Sequence, residues 1–222
     1  MQVFTLSRPD SIDAATSAAA ATGAKYIAGG SDLLQLMKNN VEAPRVLVDL
    51  EPIVASTVEA SPDGLRLHAM ARMSDVAAHP AVREGWPMLS EALLASASPQ
   101  VRNMGTMGGN LLQRTRCGYF RDTGFACNKR VPGSGCPAIA GENRMLAILG
   151  GSEHCIASHP SDLAVALVAL DAVVALRAPG GETRQVPLAG FHLPPGDTPQ
   201  VETILRQGEL IEAILVAASA AA

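Results

Sequence analysis

The stretch between Leu112 and Ile156 constrains this chain more than any other part of its sequence. It contains all four cysteines of the 222 residues, many glycines and prolines, and little hydrophobic periodicity. An irregular stretch of this length is uncommon inside a compact domain unless something holds it together. The sequence therefore predicts a bound metal or a covalent bridge in this region.

The cysteines favour a metal cluster over disulfides. The N-terminus shows no basic stretch followed by an apolar segment, so we expect no signal peptide, and disulfides are rare in proteins that are not exported. A zinc site is an alternative, although zinc favours closely spaced Cys-x-x-Cys pairs. Widely spaced thiolates suit a 4Fe-4S cluster, whose four corners point apart. The predicted ligands are Cys117, Cys127, Cys136 and Cys155.

The charge around the cysteines supports an anionic cluster. Six arginine or lysine residues lie from Arg114 to Arg144, opposed only by Asp122 and Glu142, although the whole chain has a net charge of -4. Cations stabilise thiolates and the negative charge of such a cluster. The alternative is a solvated basic loop that docks on an acidic partner, and both interpretations can hold together.

Composition indicates a globular protein and argues against several classes. Hydrophobic residues make up 48% and charged residues 17% of the chain, which fits one medium domain or two small lobes. The pI of about 5.7 and the few aromatic residues argue against nucleic-acid binding. No segment is long and apolar enough to predict membrane insertion. We expect a cytoplasmic protein, or a periplasmic one exported together with a partner that carries a signal.

Periodicity and turn signals predict a mixed chain of the α+β class. Helices are predicted over residues 11–22, 33–37, 74–78, 88–97, 163–172 and 201–206. Strands are predicted over residues 25–28, 45–50, 64–69, 173–177, 184–188 and 210–216. The tail of small residues, 217–222, is expected to fray.

Two glycine-rich segments predict a split dinucleotide site. The first, Ala28–Asp32, stands between a predicted strand and a predicted helix, and the second, Arg102–Asn110, has three glycines within five positions. Glycine lets backbone N–H groups approach a diphosphate closely. Neither segment matches Gly-x-Gly-x-x-Gly, which disfavours a nicotinamide dehydrogenase. The alternative is that these glycines only make turns.

Three segments of the sequence resemble a known family. They are Tyr26–Leu34, Gly105–Asn110 and His159–Leu163, and they occur in the order and rough spacing of the FAD-binding subunits of the xanthine dehydrogenase family. The resemblance covers nearly the whole chain. With its cysteine-rich stretch, the sequence most resembles the medium subunits of periplasmic-type aldehyde oxidoreductases and of 4-hydroxybenzoyl-CoA reductase, which carry an additional iron-sulfur insert.

The resemblance implies an α+β fold, the two-lobed FAD-binding domain of the vanillyl-alcohol oxidase or molybdopterin dehydrogenase type. The implied domain covers residues 1–216, with a small N-terminal lobe at about 1–55 and a larger lobe at about 56–216. The iron-sulfur insert covers about 113–156. The C-terminal domain usual in the family is expected to be absent.

The resemblance also implies which residues bind FAD. Residues 28–33 and 106–110 are expected to bracket the diphosphate and ribityl chain, while Asp162 contacts the nucleotide from the opposite side. A helix cap is the alternative role for Asp162. The implied FAD-binding residues are Ala28, Gly29, Gly30, Ser31, Asp32, Leu33, Thr106, Gly108, Gly109, Asn110 and Asp162.

By the same resemblance, the chain is the FAD-carrying electron-transfer subunit of a molybdenum hydroxylase. Its partners are a molybdopterin-binding large subunit, where substrate is oxidised, and a small subunit whose 2Fe-2S clusters deliver electrons to FAD. No side chain is predicted to act as a catalytic acid or base, and the terminal electron acceptor is left open. Two other functions remain: a stand-alone flavin oxidoreductase of the same fold, and a non-enzymatic metal-binding assembly module.

Overall fold

Two β-sheets organise the chain in the computed structural model, which describes residues 1–221. The first sheet contains three parallel strands, β1 (Thr5–Ser7), β2 (Ala24–Ile27) and β3 (Val46–Asp49), in the order β1-β3-β2. Helices α1 (Ile12–Ala19) and α2 (Leu33–Lys38) connect these strands, as parallel pairing requires. Strand β3 lies in the middle of this sheet, and its Leu47 and Val48 are fully buried there.

The second sheet is antiparallel and has five strands. They are β4 (Val58–Ser61), β5 (Gly64–His68), β6 (Val173–Arg177), β7 (Thr183–Pro187) and β8 (Leu210–Ala217). The strand order is β4-β5-β8-β6-β7, so the last strand of the chain occupies the centre of the sheet. Strand β8 is apolar along nearly its whole length, as a central strand must be.

Seven further helices pack between and around the sheets. They are α3 (Met73–Ala78), α4 (Pro80–Gly85), α5 (Pro87–Ala95), α6 (Pro99–Met104), α7 (Met107–Leu111), α8 (Gly118–Arg121) and α9 (Asp162–Ala169). Proline begins α4, α5 and α6, at the position where its missing N–H has no helical partner to lose. Fully buried leucines of α5 and α9 share one hydrophobic core with the second sheet.

The cysteine-rich stretch is largely irregular, as the sequence predicts. Besides α8, its regular structure in the described residues is one 3-10 turn, Pro137–Ile139. Side chains hold the rest. The Asn128 amide bridges two loop segments, since it accepts from the Gly135 N–H at 2.7 Å and donates to the His154 carbonyl at 3.0 Å.

The predicted α+β class is confirmed, and the two sheets lie on either side of the predicted lobe boundary near residue 55. The helix predicted over 201–206 is wrong. Backbone groups in this segment pair with residues 191–193 instead: the Leu193 N–H donates to Glu202, and the Ile204 N–H donates to Phe191. In the tail predicted to fray, Ala218–Ala220 forms a 3-10 turn, and Ala222 lies outside the described residues.

Candidate cofactor cleft and cysteine insert

Both glycine-rich segments line one cleft of about 880 Å³. Its walls come from β2 and the residues after it, from the segment around α7, from the start of α9 and from residues 205–211. All eleven residues predicted to bind FAD line this cleft: Ala28, Gly29, Gly30, Ser31, Asp32, Leu33, Thr106, Gly108, Gly109, Asn110 and Asp162. The two segments therefore face one shared space, as a split dinucleotide site requires.

The two glycine segments touch backbone to backbone. A Cβ atom at Gly29 would lie 1.7 Å from the carbonyl oxygen of Met104, so only glycine fits there. The Arg72 guanidinium donates to the same Met104 carbonyl at 2.6 Å and fixes its direction. Gly30 has a φ of 67°, in the left-handed region that glycine favours.

The segment from Gly29 to Asp32 offers free backbone donors. Within residues 1–221, the N–H groups of Gly29, Gly30, Ser31 and Asp32 have no backbone or side-chain acceptor. Buried or cleft-lining N–H groups are rarely left unpaired in proteins. Successive free N–H groups form an anion-binding concavity, and a diphosphate is the type of group that fits it.

The second segment has a different role. The N–H of Gly108 donates to the Ala69 carbonyl at 2.9 Å, and the N–H of Gly109 donates to the Thr106 hydroxyl at 3.2 Å. A Cβ atom at Gly108 would lie 3.0 Å from that of Ala69. Gly108 lets α7 pack closely on Ala69, directly after β5, and the N–H groups of both glycines are already paired within the protein.

Helix α9 begins at the opposite side of the cleft. The Ser161 hydroxyl caps this helix by accepting from the Ala164 N–H at 2.9 Å, and it donates to the amide oxygen of Asn110. The cap is therefore Ser161, and Asp162 is the first helical residue. The Asp162 side chain lines the cleft, where its role as a nucleotide contact stays a prediction.

Asp32 lines the cleft, but its carboxylate contacts the cysteine insert. Its Oδ1 accepts from the guanidinium groups of Arg116 at 2.8 Å and Arg121 at 2.7 Å, and its Oδ2 accepts from the Arg114 N–H at 2.8 Å. Farther along, the Arg114 guanidinium pairs with Glu42 and Glu202. A network of ion pairs thus connects the cleft to the insert.

The four cysteines are free thiols. Cys117, Cys127 and Cys155 are buried, and Cys136 is half-buried. Burial raises the pKa of Cys155, and the nearby Cys136 and Cys127 raise it further, while the Ala157 N–H and the Lys129 cation oppose the rise. Within residues 1–221, no group of three or more His, Cys, Asp or Glu side chains is arranged to hold a single metal ion.

Two residues that line the cleft, Tyr26 and Glu209, were not predicted from the sequence as site residues. The Tyr26 hydroxyl donates to the Gly208 carbonyl at 2.7 Å, and burial raises the pKa of this phenol. The carboxylate of Glu209 is buried and receives both arms of the Arg184 guanidinium, which lowers its pKa. Tyr26 stands within the motif that carries the resemblance, but nothing in the local sequence distinguishes Glu209.

The comparison with known families agrees with this geometry. The family model described as the FAD binding domain in molybdopterin dehydrogenase matches residues 2–218. The chain belongs to this family. The predicted resemblance and the predicted fold of this FAD-binding domain are both confirmed.

Curated relatives of this FAD-binding domain are subunits of oxidoreductases. The chain is 52% identical over 216 residues to the aldehyde oxidoreductase FAD-binding subunit PaoB of Escherichia coli (strain K12), covering 96% of this chain and 68% of that one. It is 35% identical over 108 residues to the nicotine 6-hydroxylase medium subunit of Paenarthrobacter nicotinovorans, which is 48% of this chain and 38% of the relative.

Solved structures share the fold. Reconstituted CO dehydrogenase from Oligotropha carboxidovorans has a chain that matches with a TM-score of 0.68 and 22% identity, covering 97% of this chain and 59% of that one. Quinoline 2-oxidoreductase from Pseudomonas putida 86 gives the same values. The present chain thus spans about three fifths of the length of these structures. No helix within residues 1–221 is long and apolar enough to cross a membrane.

Proposed function

We propose that this chain is the FAD-binding electron-transfer subunit of a molybdenum hydroxylase. The observation that carries the proposal is the run of free N–H groups from Gly29 to Asp32, whose residues line a cleft shared with the second glycine segment. The relative with 52% identity, an aldehyde oxidoreductase FAD-binding subunit, favours a complex that oxidises aldehydes.

The residues of this chain would bind and orient FAD rather than react with substrate. The free N–H groups of residues 29–32 would hold the diphosphate, and the wall formed by α7 and the start of α9 would direct the rest of the nucleotide. FAD, when bound, would supply a carrier that can store up to two electrons and pass them on. The Tyr26 hydroxyl donates to the Gly208 carbonyl, and both residues line the cleft, so this bond ties β2 to the wall at residues 205–211.

We also propose that Cys117, Cys127, Cys136 and Cys155 hold a 4Fe-4S cluster. Ligands of one tetrahedral metal ion lie about 2.3 Å from it and crowd together, whereas the ligands of a cubane occupy separate corners and stand farther apart. Among residues 1–221, no three His, Cys, Asp or Glu side chains stand close enough to share one ion, and a cubane does not require them to. Burial raises the pKa of Cys155, and Cys136 and Cys127 are close enough to raise it further.

Charge in the insert supports an anionic group. Five cations and three carboxylates form one connected network, which leaves two positive charges uncompensated. The members are Lys25, Arg114, Arg116, Arg121 and Lys129, with Asp32, Glu42 and Glu202. Burial raises the pKa of Cys155, and the buried cation of Lys129 opposes that rise, so it would stabilise thiolate ligands there.

The proposed partners are a molybdopterin-binding large subunit and a small subunit with 2Fe-2S clusters. Relatives called the medium chain of carbon monoxide dehydrogenase and the medium subunit of nicotine 6-hydroxylase support an assembly of several subunits. Electrons would enter from the small subunit and leave through FAD. The compartment, cytoplasm or periplasm, would follow the export signal of a partner.

The test is a visible spectrum of the full chain purified without oxygen, with analysis of flavin, iron and acid-labile sulfide. We expect one FAD with about four irons and four sulfides per chain. Flavin without iron would exclude the proposed 4Fe-4S cluster and favour a stand-alone flavin oxidoreductase. Zinc without flavin would overturn both proposals and favour a metal-binding assembly module.

A further inference from the structure

Asp32 occupies an unusual position for a residue beside a diphosphate site. Its backbone N–H is one of the four free donors, so a bound diphosphate would lie close to it. A carboxylate in that place would repel the diphosphate unless cations neutralise it. The Asp32 side chain is 14% exposed, and the guanidinium groups of Arg116 and Arg121 supply this compensation.

Arg121 acts from outside the cleft. It does not line the cavity, and it stands at the end of α8, the helix that begins directly after Cys117. Besides its bond to Asp32, its guanidinium donates to the carbonyls of Thr115 at 2.7 Å and Arg114 at 3.0 Å. One side chain thus ties the start of the insert to the loop that carries the free N–H groups.

Asp32 completes this link from its own side. Its second oxygen accepts from the Arg114 N–H, so the carboxylate fastens the insert backbone as well as two insert side chains. Hydrogen bonds between ionised groups in a shielded setting are stronger than neutral ones. Displacing the insert would leave the carboxylate uncompensated and free to move, and the loop from Gly29 to Asp32 would lose its fixed shape.

We propose that Asp32 is a positioning residue that couples the order of the cysteine insert to FAD binding through Arg121. The proposal rests on the proposed function, since it assumes that FAD occupies the cleft. An ordered insert holds Asp32 neutralised and strengthens FAD binding, and bound FAD in turn holds the insert in place, because coupling between two sites is reciprocal.

The test is a double-mutant cycle on the full chain, with the dissociation constant of FAD measured by flavin fluorescence. Arg121→Gln is expected to weaken FAD binding about fivefold to tenfold, within the usual range of coupling between sites. In a chain that already carries Asp32→Asn, the same Arg121→Gln change is expected to alter the constant less than about twofold, because no carboxylate remains to be neutralised. Arg83→Gln, at an exposed arginine of α4, is the matched control and should leave FAD binding unchanged.

A second readout follows the insert itself. Chymotrypsin cleaves at aromatic residues, which the variants do not alter. We expect FAD to slow the cleavage of the insert at Tyr119, Phe120 and Phe125 in the unmodified chain, and to lose this effect in Asp32→Asn. If Arg121→Gln fails to fold, Arg121→Met takes its place in the cycle, since methionine keeps much of the length of the side chain but removes the charge that neutralises Asp32.

The outcomes separate this proposal from the proposed function. Equal effects of the Arg121 change with and without the Asp32 carboxylate would overturn the coupling while FAD binding itself stands. The same conclusion follows if the Arg121 variant binds FAD within twofold of the unmodified chain. Failure of the unmodified chain to bind FAD would overturn the proposed function and the coupling together.

Discussion

The imidazole rings of His159 and His192 lie with their centroids 4.1 Å apart, and both Nε2 atoms approach the carbonyl oxygen of Leu111, at 3.1 and 2.9 Å. A carbonyl only accepts hydrogen bonds, so each ring must donate to it. Leu111 is the last residue of α7. The two histidines therefore fix the end of the helix whose start forms the wall of the cofactor cleft.

This pair predicts a loss of stability in mild acid. Burial and the neighbouring His192 lower the pKa of His159 to about 4, while an unfolded histidine titrates near 6.5. The unfolded chain therefore binds more protons between these values, so the contribution is complete above pH 6.5 and is lost as the pH falls toward 4. Because the ring is partly exposed, we expect His159 to account for about 1 kcal/mol or less.

Urea unfolding at pH 7 and pH 5 measures this effect. The variant His159→Gln keeps a donor for the Leu111 carbonyl but cannot titrate. Its unfolding free energy should fall less between the two pH values than that of the unmodified chain. Equal losses in both proteins would show that His159 titrates normally.

Gly29 should tolerate no side chain. In Gly29→Ala the new Cβ would overlap the Met104 carbonyl, so the two glycine segments must separate. Forcing extra atoms into a tight contact costs about 1–3 kcal/mol. We expect thermal unfolding to report a loss of this size, together with much weaker retention of flavin on purification.

Gly85→Ala is the control for that change. A Cβ atom at Gly85 meets nothing within 4 Å, and the residue ends a helix away from the cleft. Alanine there should be neutral or should stabilise the chain by about 0.4–1 kcal/mol. A similar loss in both variants would mean that the contact with Met104 is not the cause.

The Glu209 carboxylate should stabilise the segment at residues 205–211, which lines the cleft. It is buried, pairs with both arms of Arg184 and accepts from the Arg206 N–H at 2.7 Å. Glu209→Gln leaves the Arg184 guanidinium without its anion, and we expect an unfolding free energy lower by about 2 kcal/mol. Glu182→Gln, at an exposed glutamate near the same arginine, should change it by less than about 0.5 kcal/mol.

The proposed cluster predicts a matched pair of serine variants. Cys136→Ser replaces a proposed ligand that is half-buried, so the fold should survive while the iron content falls well below four per chain. Cys155→Ser replaces a buried ligand and should give the same loss of iron with a larger loss of stability. Full iron content in both variants would contradict the proposed ligand set.

Regular elements with a local signal could be predicted from the sequence. The strands predicted over 173–177 and 184–188 correspond to β6 and β7, and Gly180 and Gly181, which adopt a positive φ, mark the turn between them. Strand β1 was missed because its residues are mostly exposed and its pairing is set by β3. The helix predicted over 201–206 is wrong because the backbone groups of this segment pair with residues 191–193, which lie outside the segment and are not indicated by its own residues.

The same distinction applies to the cleft. The glycine segment at residues 29–32 could be recognised because its backbone conformation is a local property. The contacts of the Asp32 carboxylate could not, since Arg116 and Arg121 lie 84 and 89 positions away along the chain. The sequence therefore predicts which residues line the cleft, but not which groups their side chains contact.

The central position of β8 has a consequence for how the protein is made. This strand pairs with both β5 and β6, and the residues just before it form the last wall of the cleft. On the ribosome, the loop at residues 29–32 emerges long before that wall exists. The cavity can therefore be completed only after residues 205–217 have been synthesised, so a flavin cannot be enclosed by both walls of the cleft before this segment has emerged.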